Sequence, residues 1–381
     1  MKTIALVYFN AGGGHRAAAM ALEAVIRQQG RPWRVQLVNL FEVLDPQGRF
    51  RKITGFAPEA YYNKRLARGW TIGLAQELKL LHAMIRLLHP AMVQRLHEHW
   101  LNTAPDLVVS LVPNFNRAMF DSLASALPGV PYVTVMTDLA DYPPNFWIEP
   151  GQRQHLVCGT PKAMAQARAA GYPDEFLHPV SGMLLRPDFY APVEPSAVPP
   201  AADATEHDPQ HPTGVVMFGG EGSAAMLRIA AALPDTPLIL MCGRNRALAA
   251  KLRALPAAPT AARTVVEHTP DVARWMRRGD FFIGKPGPGS LSEALQCGLP
   301  VIVTRNTWTM PQERYNTDWV REQGVGLVLP NFRQIGDAVT EMRQRLPAFR
   351  ERLRTIENRA VFELPEILAA ILATGAATPD R

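Results

Sequence analysis

Short, almost continuously apolar runs alternate with amphipathic stretches along most of the chain. Ile4–Phe9, Val35–Leu40, Leu107–Val112 and Tyr132–Met136 are such runs, bounded by Gly, Pro, Asn or Asp. Runs of this length and content suit strands buried on both faces, the condition of a parallel sheet. Between the first two, Ala17–Gln29 carries apolar residues at helical spacing and stops at Gly30. Alternating strand and helix predicts a doubly wound α/β domain over residues 1–186.

The rhythm breaks at 187–213, a Pro/Ala-rich stretch that reads as a linker. It restarts with Val215–Phe218, Leu238–Cys242, Thr264–Glu267, Phe281–Ile283, Val301–Thr304 and Gly326–Leu329, which predict a second α/β domain over 214–346. A helical segment, 347–381, is expected to pack back on the first domain. Leu74–Leu101 is a long apolar stretch with scattered Lys, Arg and His, expected to kink or split at Pro90. It has two readings: core packing, or a basic amphipathic surface that touches lipid. Upstream, Arg49, Arg51, Lys52, Lys64, Arg65 and Arg68 are interleaved with Phe50, Phe56, Tyr61, Tyr62 and Trp70, which adds weight to the second without deciding between them.

Composition narrows the class. At 381 residues the chain exceeds what one core usually holds. Three widely spaced cysteines, Cys158, Cys242 and Cys297, argue against a disulfide framework and for a reducing compartment. The apolar N-terminal run is too short, and lacks the small-residue cleavage site, for a signal peptide. No run of about 18 apolar residues predicts a transmembrane helix. The net charge is +6, and residues 1–100 carry 14 Lys+Arg against 6 Asp+Glu, so the excess belongs to the first quarter. Such a face suits an anionic lipid surface, a phosphorylated substrate or plain solvation. No nucleic-acid-binding motif accompanies it, and nucleic acid is not expected as a partner.

Three glycine-rich loops follow predicted strands and open predicted helices. In Gly12-Gly13-Gly14-His15-Arg16-Ala17, a bare backbone can approach a ligand where a helix N-terminus favours negative charge. His15 adds a group that titrates near neutrality, suited to proton abstraction. Gly12, Gly14 and Ala17 also match a dinucleotide fingerprint, but Asn39 stands where that fingerprint needs an acid for the ribose. The second loop is Phe218-Gly219-Gly220-Glu221-Gly222-Ser223, whose amides and hydroxyl suit a phosphate. The third runs from Gly284 to Ala294 and includes Lys285, Gly287, Gly289, Ser290 and, one turn into the helix, Glu293, placed to bind vicinal ribose hydroxyls.

The block 284–316 resembles glycosyltransferase family 28, and within it the diacylglycerol glycosyltransferases, which include the monogalactosyldiacylglycerol synthases. The motifs are Gly-Lys-Pro-Gly-Pro-Gly-Ser-Leu-Ser-Glu-Ala-Leu at 284–295, Gly-Leu-Pro-Val-Ile-Val at 298–303 and Pro-Gln-Glu-Arg-Tyr-Asn at 311–316. Segments 12–17, 133–139, 218–223 and 242–245 agree in the same order. The resemblance implies the GT-B architecture, two Rossmann-like domains facing across a cleft, with UDP-sugar held mainly by the second. It implies that Glu293 binds the ribose and that Gln312 and Glu313 hold sugar hydroxyls. Gly219, Gly220, Ser223, Gly287, Gly289 and Ser290 would face the diphosphate, with Arg244 and Asn316 completing the donor site. His15 matches the family's base, beside the acceptor loop Gly12–Gly14, with Asp138 as the candidate to orient it. The chain departs from plant-type members at Asn10, where they carry an acid, and near Pro143–Pro144, where they place a His.

No Asp-x-Asp occurs, and the histidines lack ligand-like spacing, so no metal site and no cofactor beyond the UDP-sugar co-substrate is expected. Together these readings predict an inverting hexosyltransferase that makes a glycolipid from a lipid acceptor, diacylglycerol first. It is expected to act as a cytoplasmic protein held peripherally on the anionic inner face of the cytoplasmic membrane. The alternatives are an N-acetylglucosamine transferase acting on an undecaprenyl-linked precursor, a nicotinamide oxidoreductase and a catalytically silent relative.

Overall fold

The computed structural model describes residues 1–10, 13–48, 74–191, 211–259 and 261–375. Among them are two parallel six-stranded sheets. The first contains β1 (Lys2–Tyr8), β2 (Trp33–Asn39), β3 (Leu107–Ser110), β4 (Tyr132–Val135), β5 (His155–Cys158) and β6 (Leu177–Pro179), in the order β2-β1-β3-β4-β5-β6. The second contains β7 (Gly214–Met217), β8 (Leu238–Gly243), β9 (Arg263–Glu267), β10 (Phe281–Gly284), β11 (Val301–Thr304) and β12 (Gly326–Leu329), in the order β12-β11-β10-β7-β8-β9. Strands β3, β4, β7 and β10 are buried at every position, which is why their sequences run apolar without alternation. All strands expected in the first 136 residues and after 213 are present, with ends moved by one or two positions. Two more, β5 and β6, were not foreseen.

The sequence-based domain limits shift when packing is considered. Met183 and Leu185, just before the expected linker, and Phe189 within it are buried with Val215, Phe282 and Leu291 of the second domain, so the first part of the linker is built into that domain's core. Residues 192–210 of the linker lie outside the described residues. At the other end, the helix Ile335–Leu353 buries Met342, Leu346 and Phe349 in the second domain, so the limit at 346 falls inside one element. The chain then crosses, and the helix Ala360–Gly375 places Leu364, Leu368 and Ile371 against Ile4, Leu6 and Leu22 of the first. Glu363 fastens the crossing by accepting from Ser181 N (2.8 Å) and Ser181 Oγ (2.7 Å).

Leu74–Thr103 is a single helix that contains Pro90. No split occurs, because Pro90 and Arg86, whose carbonyl loses its donor, both lie on the exposed side where water replaces the bond. The two readings of this segment divide along its length. Met92, Leu96 and Trp100 are buried against β1 and β3 residues Ala5, Val7 and Val108, and Trp100 Nε1 donates to Ser122 Oγ (2.9 Å). One turn earlier, Met84 (42%), Leu87 (81%) and Leu88 (52%) face outward. The basic and aromatic cluster at 49–70 lies outside the described residues. No helix among the described residues is long and apolar enough to cross a membrane.

Candidate active site

In each sheet, neighbouring strands send their chains to opposite sides at one point: between β1 and β3 in the first, between β7 and β10 in the second. Crevices at the C-terminal ends of such pairs are where open parallel sheets bind ligands. The glycine-rich loops lie at these two points.

In the first crevice, Gly13 turns the chain with φ +80° and caps the helix Gly14–Gln28, whose second residue is His15. Gly12 lies outside the described residues, while a Cβ at Gly13 or Gly14 would meet nothing within 4 Å, so this loop borders open space. His15 Nδ1 is 3.1 Å from Thr137 Oγ1, and the Leu111 backbone hydrogen-bonds the same ring. Burial pushes the imidazole down to about 4, so it is neutral and able to accept a proton at neutral pH.

Thr137 contacts His15, and the next residue, Asp138, the candidate to orient it, contacts Trp147. Trp147 Nε1 donates to Asp138 Oδ2 (2.9 Å), and the buried indole lies 6.0 Å from the His15 ring, centroid to centroid. The Trp147 indole thus touches the Asp138 carboxyl and flanks His15. Burial pushes it up to about 7, with the negative charge of Glu313 adding and Lys285 opposing. Asp141 holds the rest of this loop by accepting from Asn145 N (2.9 Å) and Trp147 N (2.7 Å).

The second crevice is made mostly of backbone. Gly219 and Gly222 have φ of +72° and +61°. Gly243 is required by contact as well as by φ, since a Cβ there would lie 2.0 Å from the Gly220 carbonyl. Arg244 N donates to that carbonyl (2.9 Å), and the exposed Arg244 guanidinium lies 3.5 Å from Glu221. Ser223 Oγ accepts from Ala225 N (3.2 Å), which starts the next helix. Across the crevice, Gly287 caps the helix Pro288–Gln296, whose first backbone bond is Leu291 N to Gly287 O. The amides of Gly289 and Ser290 precede it and have no partner within the helix. Gly289 faces open space. Glu293 is half-buried, and burial pushes its carboxyl up to about 7, with Arg186 opposing and Asp188 adding.

Of the residues expected to touch the sugar, Gln312 is partly exposed, with Nε2 3.7 Å from Met310 Sδ. Glu313 and Asn316 are buried. Asn316 is 0% exposed and donates from Nδ2 to Pro286 O (2.7 Å). Glu313 is buried and its Oε1 accepts from Lys285 Nζ (2.8 Å). Both hold the 285–287 turn from behind and so set the direction of the helix-start amides. The two crevices face one another: Tyr142 beside the first stacks on Tyr315 beside the second (6.2 Å, 29°), and Asp138 feels the charges of Lys285 and Glu313. At the end of β2, Asn39 Oδ1 accepts from Phe41 N and Asn39 Nδ2 donates to Glu42, so the position a dinucleotide ribose would use is spent on a local cap. Among the described residues, no group of three or more His, Cys, Asp or Glu is placed to hold a metal ion.

No family model matches the chain. Over most of its length it is homologous to monogalactosyldiacylglycerol synthases. It is 26% identical to monogalactosyldiacylglycerol synthase 1 of Arabidopsis thaliana over 372 residues, covering 89% of this chain and 64% of that protein. It is 25% identical to the Arabidopsis thaliana synthase 3, with 96% and 80% covered. The chain thus spans just under two thirds of the former relative's length. The relatives' names place them in the chloroplast. The fold is that of GT-B glycosyltransferases. The structure resembles MurG of Acinetobacter baumannii (TM-score 0.59, 14% identity, 97% of this chain and 100% of that one). It also resembles the calicheamicin glycosyltransferase CalG4 (TM-score 0.60, 15% identity, both chains covered fully).

Proposed function

We propose that this chain is an inverting glycosyltransferase that moves a hexose from a UDP-sugar to the free hydroxyl of a glycerolipid, diacylglycerol being the acceptor the homology favours. The observation that carries the reading is the pairing of the two crevices. A neutral imidazole, His15, stands at the first, and a helix start with free amides, Gly289 and Ser290, stands at the second.

His15 takes the proton of the acceptor hydroxyl as its oxygen attacks the anomeric carbon. The bond between that carbon and the diphosphate breaks, UDP leaves with the electron pair, and the configuration inverts. The diphosphate draws hydrogen bonds from the Gly289 and Ser290 amides, the Gly219–Gly220 turn, the Ser223 hydroxyl and the Arg244 guanidinium, in the manner of an anion at a helix start. This donor set handles the leaving charge without a metal. Its negative charge also raises the affinity of the nearby imidazole for a proton, which strengthens His15 as a base only once the donor is bound. Glu293 accepts from the ribose hydroxyls, and Gln312 reads the hexose.

The outward leucines of helix Leu74–Thr103 and the +8 balance of residues 1–100 support attachment to an anionic membrane surface. The inner face of a cytoplasmic membrane has that charge.

The test is UDP release by the purified chain with UDP-galactose, UDP-glucose or UDP-N-acetylglucosamine, with and without diacylglycerol in mixed micelles. Release that requires diacylglycerol is expected with one of the two hexoses. Release only with UDP-N-acetylglucosamine and an undecaprenyl-linked acceptor would replace this reading with its MurG-like counterpart, and dependence on added divalent metal would remove the leaving-group argument.

A further inference from the structure

The helix Leu74–Thr103 also reaches the catalytic crevice from the side. His82 Nε2 lies 2.8 Å from Asn114 Oδ1. Asn114 follows β3, three residues after Leu111, whose backbone bonds His15. Its amide N donates to Phe146 O (2.7 Å), the carbonyl next to Trp147, which flanks His15. Its backbone is left-handed, with φ +69°, a conformation that few residues other than Gly adopt and that Asn tolerates. Backbone held this way beside a reactive group points to a functional requirement. His82 lies on the same helix as the exposed Met84, Leu87 and Leu88, and Asn114 lies on the loop after β3 whose Leu111 backbone bonds His15.

With the Nε2–H tautomer of His82, the imidazole donates to Asn114 Oδ1 and leaves both Nδ2 hydrogens available. Among the described residues, Nδ2 has no hydrogen-bond partner in the protein. An amide presenting Nδ2 in this way can donate to an uncharged oxygen that only accepts. The ester carbonyls adjoining the free hydroxyl of a diacylglycerol are such oxygens.

We propose that Asn114 is a specificity-determining residue for the acceptor, its Nδ2 donating to an ester carbonyl of the lipid headgroup, and that His82 is the residue that positions it. This rests on the glycerolipid reading above and deepens it: the enzyme distinguishes ester-linked from ether-linked glycerolipids.

The experiment measures binding of dioctanoylglycerol and its dioctyl ether analogue to the full chain by titration calorimetry, alongside KM values from UDP release. Wild type should bind the ester more tightly. Asn114→Asp keeps size, the left-handed backbone and the His82 contact but removes the donor. It should weaken ester binding about five- to tenfold, the worth of one hydrogen bond, leave ether binding unchanged, and leave KM for the UDP-sugar unchanged. His82→Phe should move ester binding in the same direction, and His82→Gln, which keeps a donor, should recover part of it. Equal affinity of wild type for ester and ether, or a parallel loss of both in Asn114→Asp, would overturn the proposal. A wild type that discriminates ester from ether, loses this in Asn114→Asp, yet releases no UDP would uphold the contact and overturn the transfer reading.

Discussion

The two crevices use the same topological position and are built from different materials. The second is backbone: left-handed glycines, a Gly-Pro helix start and amides that point outward, braced from behind by Asn316 and Glu313. The first is side chains drawn from distant parts of the chain, with His15, Thr137, Trp147 and Asn114 meeting over more than 100 residues of separation. In the proposed reaction, the backbone amides would hold the diphosphate common to nucleotide-sugar donors, and the side chains would select the proton position and the acceptor.

The largest expected break in this division comes from His15→Ala. It should lower kcat for diacylglycerol-dependent UDP release at least ~100-fold, the usual contribution of a general base, and leave UDP affinity by calorimetry unchanged. Near-normal turnover would remove His15 from the chemistry. Asp138→Asn separates structure from reaction through pH. The carboxyl titrates near 7 in the fold and near 3.8 when unfolded, so the native state is favoured by its protonation below about pH 4. That contribution is lost as pH rises through 7. The Asn variant still accepts from Trp147, so denaturant unfolding should show it more stable by about 4 kcal/mol at pH 8 and nearly unchanged at pH 4. Equal effects at both pH values would mean the carboxyl is not held in its neutral form.

On the donor side, Glu293→Gln should raise KM for the UDP-sugar about tenfold with kcat little changed, the pattern of an interaction present before and during reaction. A change confined to the lipid KM would move Glu293 to the other crevice. The smallest effect is at the membrane. Leu87→Glu with Leu88→Glu should reduce flotation with anionic vesicles several-fold while turnover on a water-soluble short-chain acceptor is kept. Undiminished flotation would assign attachment to other residues.

What could be read from sequence follows the same division. The glycine-rich loops spell their turns in consecutive residues, so the strand-to-helix turn that carries Gly287, Gly289, Ser290 and Glu293 is legible in the sequence. The burial of Glu313 and Asn316 is not legible in the sequence, because the inward side of helix Arg314–Gln323 carries the polar Asn316 and Thr317 beside Val320 and shows no apolar stripe. Thr137, Trp147 and Asn114 carry no local mark, because their roles depend on how β1, β3 and β4 lie side by side. Strands β5 and β6 escaped notice because His155 and His178 interrupt short apolar runs. The structure pairs these two histidines at 3.0 Å, so each supplies the polar partner the other needs.

The most direct test of transfer between the two crevices is the anomeric configuration of the glycolipid formed from an α-linked UDP-hexose and dioctanoylglycerol, read by proton NMR of the purified product. The account predicts a single β-linked hexosyl-diacylglycerol. An α-linked product would contradict direct displacement with His15 as base, and the absence of any glycolipid with either hexose would contradict the proposed reaction itself.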